Sequence, residues 1–240
     1  MTGHLWQGTW NGRSPAGDIH VRSRTIVRHT GGIVRGKFPS RKNGRMVHHE
    51  GLLELDAIYL FETSPRVVRY REQPERVQYA DGEKLRRYTP DFEVGLNTGE
   101  VFLVEVKPRR SLVEPTVAHT LAKVREHLGR RQQRFLVLTD EHLRIEPLQS
   151  NLRWICHQAP RLHPSATAIH AAVARLQAVF PISLREASIA LAPMGADPFS
   201  ALMAGVLTCD LSVPVSLETL VQPVEESGHE WFRITRESDL

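Results

Sequence analysis

The segments YTPDF at residues 88–92 and VFLVEVK at residues 101–107 decide the fold of this chain. Both are apolar, strand-forming stretches that carry charged residues, and Asn-Thr-Gly at 97–99 lies between them. Asn and Gly accept the backbone angles that tight hairpin turns require. A hairpin centred on Thr98 pairs residues that are equally distant from it, and it therefore predicts that Asp91 lies opposite Glu105.

This register separates a charged face from an apolar one. Opposed residues on one face have Cβ atoms about 5 Å apart, and strand alternation places Lys107 on the same face as Glu105. The other face is expected to be buried against a core, and it carries Phe92, Val94, Leu96, Phe102, Val104 and Val106.

Two carboxylates and an amine at one point suggest metal-assisted chemistry. Adjacent carboxylates repel one another unless a cation or a shared proton lies between them. Hard oxygen ligands suit Mg²⁺, for which Mn²⁺ is the expected substitute, and the set fits hydrolysis of a phosphodiester. The motif is short, so a solvated strand face with a weak Glu-x-Lys salt bridge is the alternative.

Bulk composition is that of an ordinary globular protein. The 240 residues are 41% hydrophobic and 24% charged, enough for one large domain or two modest ones. There is no apolar run of the length that spans a bilayer, and Cys156 and Cys209 are the only cysteines. We therefore expect a cytoplasmic protein without membrane contact, a disulfide framework or a thiolate zinc site.

Charge is distributed unevenly along the chain. Residues 1–49 contain nine Lys or Arg and a single acid, a net charge of +8, whereas residues 161–240 carry −4. A basic arm ahead of a neutral core is typical of a DNA contact, although a flexible, solubilising tail has the same composition. The candidate DNA-binding residues are Arg22, Arg24, Arg28, Arg35, Lys37, Arg41, Lys42 and Arg45.

Three domains are predicted: a basic arm over residues 1–45 with one short strand at 25–27, a catalytic core over 46–160, and a C-terminal domain over 161–240. In the core, hydrophobic periodicity predicts a helix over 49–63 and another over 116–131. Strands are predicted at 67–71, 76–79, 88–96 and 101–107, and 135–139 reads as a strand buried on both faces that follows a βαβ crossover. The fold class is therefore α/β, a mixed sheet with flanking helices.

The C-terminal domain has a different pattern. Three short helices are predicted at 166–179, 184–192 and 199–208, followed by a β-ribbon from 210–216 and 219–224. This is the outline of a winged helix-turn-helix. Its negative charge disfavours DNA binding by this domain alone, so binding of a partner protein is an equally good interpretation of its role.

Glu54 is the candidate third acid. Its apolar neighbours Ile58 and Phe61, four and seven residues further on, point it partly inward. Glu50 lies four residues before it on the same face and is the alternative. A surface glutamate at the edge of an amphipathic stripe has the same pattern.

Taken in order, these motifs resemble the TnsA endonuclease subunit of heteromeric, Tn-seven-like transposases. The resemblance covers about residues 45–140, and the C-terminal outline agrees with the second domain of that family. It implies a restriction-endonuclease-like core followed by a winged-helix domain. The motifs that carry it are VHH at 47–49, LEL at 53–55, REQP at 71–74, YTPDF at 88–92 and EVKP at 105–108.

The resemblance also implies a role for each site residue. Asp91 and Glu105 would bind the metal together with the main-chain carbonyl of Val106, and Glu54 would complete the site. Lys107 would orient or activate the attacking water and stabilise the pentacovalent phosphate. Some members of the family have Gln at the position of Glu105, and Glu is the stronger ligand for a hard metal.

The implied activity is Mg²⁺-dependent cutting at the 5′ ends of a transposon. The implied partners are the transposon DNA, an integrase-type transposase that cuts and joins the 3′ ends, and an AAA+ ATPase regulator that contacts the C-terminal domain. Two alternatives remain: a stand-alone restriction or repair nuclease, and a non-catalytic DNA-binding assembly module of the same fold.

Overall fold

A computed structural model describes His20, Ser23, residues 34–162 and residues 164–224. It divides into two compact units. The first comprises the described residues up to Phe61 together with Val67–Leu143, and the second comprises Glu62–Arg66 together with the described residues from Arg144 onward. None of the helices in these ranges is long and apolar enough to cross a membrane.

The first unit is built on a four-stranded mixed sheet. Its elements are β1 (Gly36–Ser40), β2 (Arg45–His49), α1 (Leu52–Thr63), β3 (Val67–Glu72), β4 (Val77–Asp81), β5 (Lys84–Tyr88), β6 (Phe92–Leu96), β7 (Val101–Val106), α2 (Pro115–Arg130), β8 (Arg134–Leu138) and α3 (Asp140–Leu143). The sheet order is β3-β6-β7-β8, with β7 and β8 parallel and the other pairs antiparallel. The predicted α/β class is confirmed.

The hairpin β6–β7 has the predicted register. Phe92 pairs with Val104 and Val94 pairs with Phe102, so the hairpin is centred on Thr98. Gly99 closes the turn at φ +86°, an angle that glycine adopts without steric cost. Asp91 precedes the first paired residue, and the same register places it opposite Glu105.

The sheet is covered on both faces. On one face Phe61 of α1 packs edge-on against Phe92, with ring centroids 5.4 Å apart. Phe92, Val94 and Val104 on that face are fully buried, which confirms the predicted apolar face. On the other face Leu103 packs in a cluster beneath α2 with Tyr79, Val124 and Leu128.

Four predictions about the first unit need correction. The first helix begins at Leu52 rather than near residue 49, because His49 belongs to β2 and pairs with Gly36. The predicted strand over 88–96 is two strands: Tyr88 ends β5 and Phe92 begins β6, because Pro90 has no N–H for a ladder.

The third correction concerns β8, which was expected to be buried on both faces. It is an edge strand, and Phe135, Leu136 and Val137 are only half-buried. The parallel pairing with β7 is nevertheless as expected.

The fourth correction concerns the basic arm. Residues 36–45 are part of the folded unit, because β1 and β2 form a hairpin. Phe38 and Val47 are opposed and buried in it, and the Phe38 ring lies edge-on to Tyr59 at 5.2 Å. The short strand predicted at 25–27 lies outside the described residues.

The second unit contains short helices and a small sheet. Its elements are α4 (Leu148–Gln158), α5 (Ala166–Arg175), β9 (Ile182–Ser183), α6 (Leu184–Leu191), α7 (Pro198–Met203), β10 (Leu207–Thr208) and β11 (Leu220–Pro223). The sheet order is β10-β11-β9. The three predicted helices are present in shortened form, and the winged-helix assignment stays a prediction.

Two details of the second unit differ from expectation. The first ribbon strand is Leu207–Thr208 rather than 210–216. The buried amide of Asn151 explains the difference, since it bonds the main chain of Leu211, Val213 and Val215 at 2.8–3.0 Å and holds that segment as a loop.

The structural division also lies between Leu143 and Arg144 rather than after Pro160. Helix α4 packs with the second unit through Trp154, whose ring lies 5.4 Å from that of Phe199.

Candidate metal-dependent catalytic site

Asp91 is held from two sides. Its Oδ2 accepts a hydrogen bond from the backbone N–H of Val106 at 2.9 Å. Its main-chain carbonyl accepts a hydrogen bond from the N–H of Gln73 at 2.7 Å. Gln73 is buried and has φ +47°, a conformation that a non-glycine residue adopts only when its surroundings enforce it. The corner at Gln73 and Pro74 therefore fixes the backbone that carries Asp91.

Glu105 and Lys107 form an ion pair at the end of β7. Lys107 Nζ lies 2.6 Å from Glu105 Oε1, and the side chains are 35% and 4% exposed, respectively. The backbone N–H of Lys107 donates to Leu138 of the parallel strand β8 at 3.0 Å. The backbone of Lys107 is therefore held by the sheet, and its side chain is partly exposed to solvent.

Glu54 belongs to the first turn of α1, and its Oε2 accepts a hydrogen bond from the N–H of Glu50 at 2.7 Å. The charges of Lys107 and Glu105 both act on Glu54, and the charge of Glu54 acts on Asp91. The structure thus brings the four predicted residues Glu54, Asp91, Glu105 and Lys107 into one electrostatic cluster. Glu50 contributes its backbone N–H to Glu54.

Crowding of acids is visible in the pKa values. Burial, followed by the charges of Glu105 and Glu54, raises the pKa of Asp91 well above its usual range. Burial is also the main cause that raises the pKa of Glu54, to about 6. Burial alone would lower the pKa of Lys107, but the charges of Glu105 and Asp91 outweigh it and raise that pKa. Lys107 is accordingly an ammonium ion at neutral pH.

The residues present fit a hard divalent cation. Glu105 Oε2 is buried and has no hydrogen-bond partner within the described part of the chain, and it lies among other carboxylates that a cation would relieve. In the described ranges, no group of three or more His, Cys, Asp or Glu side chains is placed so that it could hold a metal ion. Mg²⁺ commonly uses one or two carboxylates and keeps several waters, so Asp91 and Glu105 are a sufficient protein donor pair.

The predicted DNA-binding residues fall into four groups, of which the buried Arg45 is the last. Arg22, Arg24 and Arg28 lie outside the described residues. Arg35, just before β1, and Lys37, within β1, are exposed. Arg41 and Lys42 are half-buried. Lys42 Nζ donates to the carbonyl of Phe61 at 2.8 Å.

Arg45 is the residue whose environment differs most from the prediction. Its Nη1 donates to Glu72 Oε1 at 3.0 Å, and its Nη2 lies 2.8 Å from Glu72 Oε2. Both side chains are buried, since Arg45 occupies an inward-facing position of β2. The guanidinium therefore joins β2 to β3 and is not presented to solvent.

Tyr88 is a neighbour of the site whose role the sequence did not disclose. Burial, followed by the charge of Glu105, raises the pKa of the Tyr88 hydroxyl above its usual range. Its position three residues before Asp91 was visible in the sequence. Its place near Glu105 depends on β5 folding as a separate strand that packs beneath α2.

Residues 64–140 match the family model described as TnsA-like endonuclease N terminal. The matched range begins just after α1, includes β3 to β8, and ends at the first residue of α3. It contains Asp91, Glu105 and Lys107, whereas Glu54 precedes it. The match agrees with a restriction-endonuclease-like assignment for the mixed sheet. No curated protein matches the chain.

Proposed function

We propose, from the match of residues 64–140 to a TnsA-like endonuclease family model, that the protein is the Mg²⁺-dependent DNA endonuclease subunit of a cut-and-paste transposase. In this role it hydrolyses phosphodiester bonds at the 5′ ends of the transposon. The observation that carries the proposal is the cluster itself. Asp91 and Glu105 face one another with Lys107 at 2.6 Å from Glu105, inside a domain of an endonuclease family.

The carboxylates of Asp91 and Glu105 would hold the metal, with the Val106 carbonyl and Glu54 as further ligands. A divalent cation bound there supplies charge neutralisation at the phosphate and lowers the pKa of a coordinated water. The N–H of Val106 and the N–H of Gln73 orient Asp91, so little reorganisation is needed when DNA arrives.

Lys107 has an electrostatic role in this proposal. Because its pKa is raised, it stays protonated and is a hydrogen-bond donor rather than a base at neutral pH. Its ammonium group is partly exposed beside the carboxylates, where it can orient the attacking water and stabilise negative charge that develops on the phosphate.

The proposed partners follow from the family rather than from a contact in this chain. They are the transposon-end DNA, an integrase-type transposase subunit and an AAA+ ATPase regulator that engages the C-terminal domain. The basic residues Arg35 and Lys37 are exposed and can contact DNA phosphates. The negative charge of the C-terminal part favours a protein partner there over DNA.

The test is a strand-cutting assay on labelled transposon-end DNA and on unrelated DNA of equal length. Each is incubated with Mg²⁺, with and without an integrase-type transposase subunit. We expect cutting at the 5′ ends only when both proteins and Mg²⁺ are present. Asp91→Ala and Lys107→Ala should abolish the 5′ cut and leave 3′ cutting by the partner detectable.

Two outcomes would contradict this proposal. Efficient cutting of unrelated DNA without the partner indicates a stand-alone nuclease. A 5′ cut that persists in both variants excludes the assigned site. In the experiment with the variants, the partner's 3′ cut is an internal control for correct assembly on the DNA.

A further inference from the structure

Tyr88 and Glu105 each have a buried oxygen atom without a partner. Both Tyr88 Oη and Glu105 Oε2 are inaccessible to solvent, and neither forms a regular hydrogen bond with any described residue. The opposite carboxylate oxygen, Oε1, is already occupied by Lys107 Nζ. A buried phenol and a buried carboxylate oxygen left unpaired together are costly, and they are chemically complementary.

The Tyr88 ring is fixed by apolar packing. It lies edge-on to Phe135, with centroids 6.2 Å apart, and it packs against the cluster of Tyr79, Leu103, Val124 and Leu128 beneath α2. The ring is thus anchored against Leu103, two residues before Glu105 on the same face of β7, and the charge of Glu105 has the largest electrostatic effect on the phenol. Asp91 exerts the next largest.

The hydroxyl of Tyr88 can donate a hydrogen bond to the Glu105 carboxylate because it is protonated. A tyrosine hydroxyl ordinarily has a pKa of about 10 and therefore carries its proton at neutral pH. A carboxylate has about four lone-pair sites, so Glu105 can accept from Tyr88 and from Lys107 and still offer a lone pair to a cation.

We propose that Tyr88 is a positioning residue for Glu105: its hydroxyl donates to Oε2 and, with Lys107 on Oε1, fixes the plane of the carboxylate for metal binding. The metal part of this inference rests on the proposed function, whereas the contact between Tyr88 and Glu105 does not. Partners of metal ligands typically affect metal affinity by about 10- to 100-fold.

The contact is tested first in metal-free protein by a double-mutant cycle. We expect Tyr88→Phe to lower the urea midpoint in the wild-type background and not in a Glu105→Ala background, where no carboxylate remains to accept the bond. Equal shifts in the two backgrounds would overturn the proposed contact. Tyr79→Phe, in the same apolar cluster, is the matched control and should give equal shifts in both.

Titration calorimetry with Mn²⁺ then tests the positioning role. We expect Tyr88→Phe to weaken Mn²⁺ binding about tenfold, measured at a temperature where the variant is fully folded, and Tyr79→Phe to bind as the wild type does. Equal Mn²⁺ affinities for all three proteins would overturn the positioning role. If the wild type bound no Mn²⁺, the proposed function and the metal part of the inference would both fail, while the urea cycle would still decide whether Tyr88 bonds Glu105.

Discussion

Asp91 Oδ2 accepts a hydrogen bond from the backbone N–H of Val106 at 2.9 Å. Val106 lies between Glu105 and Lys107, so this bond links Asp91 to the segment that carries the other two site residues. The bond crosses between the residue that precedes β6 and the end of β7. It uses one oxygen of Asp91 and leaves the other available. The geometry of the cluster therefore depends on the hairpin register as well as on side-chain packing.

Metal-free protein should become more stable when Asp91 is replaced by Asn. The pKa values of Asp91 and Glu54 are raised in the folded state, so the folded protein binds more protons than the unfolded chain, and stability falls as pH rises through this window. For Glu54 the window runs from about 4.5 to about 6. We expect the melting temperature of Asp91→Asn to exceed that of the wild type by an amount that grows with pH, on the order of 2–4 °C near neutrality.

Asp81 in the same unit is the control for this measurement. A hydrogen bond with His119 lowers the pKa of Asp81, so Asp81→Asn should not gain stability as pH rises. A pH-independent difference between Asp91→Asn and the wild type would show that the carboxylates do not repel one another.

Lys107→Gln should reduce the single-turnover rate of 5′ cutting by about 10²–10³-fold, the usual effect of removing one preorganised electrostatic donor. The amide keeps a hydrogen-bond donor beside Glu105 and removes the positive charge. Lys123→Gln, an exposed lysine of α2 that pairs with Glu126, should cut at the wild-type rate. Equal rates for the two variants would remove Lys107 from the mechanism.

Glu54→Gln and Glu50→Gln distinguish the two helical acids. Glu54 receives the Glu50 N–H, a bond that Glu50→Gln retains because it involves the backbone. We expect cutting to fall about tenfold or more for Glu54→Gln and to remain near wild type for Glu50→Gln. The reverse pattern would assign the third acid to Glu50.

Arg45 and Lys37 should separate stability from DNA binding. Removing one partner of a buried ion pair costs about 3–5 kcal/mol, so Arg45→Met should lower the free energy of unfolding by that amount. Lys37→Ala, on the exposed side of the same hairpin, should change stability by less than about 0.5 kcal/mol and reduce the salt slope of DNA binding by about 1. Both are read from urea melts and from DNA titrations at several salt concentrations. If Arg45→Met kept the wild-type stability and bound DNA more weakly, Arg45 would be a DNA-contacting residue rather than a structural one.

The centre of the sheet was predictable because short-range chemistry decides it. Asn97 to Gly99 make a turn of defined length, and this turn sets the pairing of every residue in β6 and β7. One register places all six apolar residues on one face. The opposition of Asp91 to Glu105 and the proximity of Lys107 followed directly.

The remainder depended on contacts that are distant in sequence. The inward orientation of Arg45 is explained by Glu72, a residue on another strand. The partial exposure of β8 depends on its place at the sheet edge, which no local pattern encodes. Tyr88 reaches Glu105 only because β5 is a separate strand packed beneath α2, and periodicity joined residues 88–96 into one strand.

Whether Asp91 belongs to a metal-dependent DNA-cutting site can be decided by comparing two proteins in one cutting assay. The full assembly of partner transposase and transposon-end DNA is supplied with Mg²⁺ and either the wild-type chain or Asp91→Asn, whose fold is verified by its melting curve. We predict 5′ cutting with the wild-type chain and none with Asp91→Asn, while the partner cuts the 3′ ends equally in both assemblies. Cutting by Asp91→Asn at the wild-type rate would contradict this prediction.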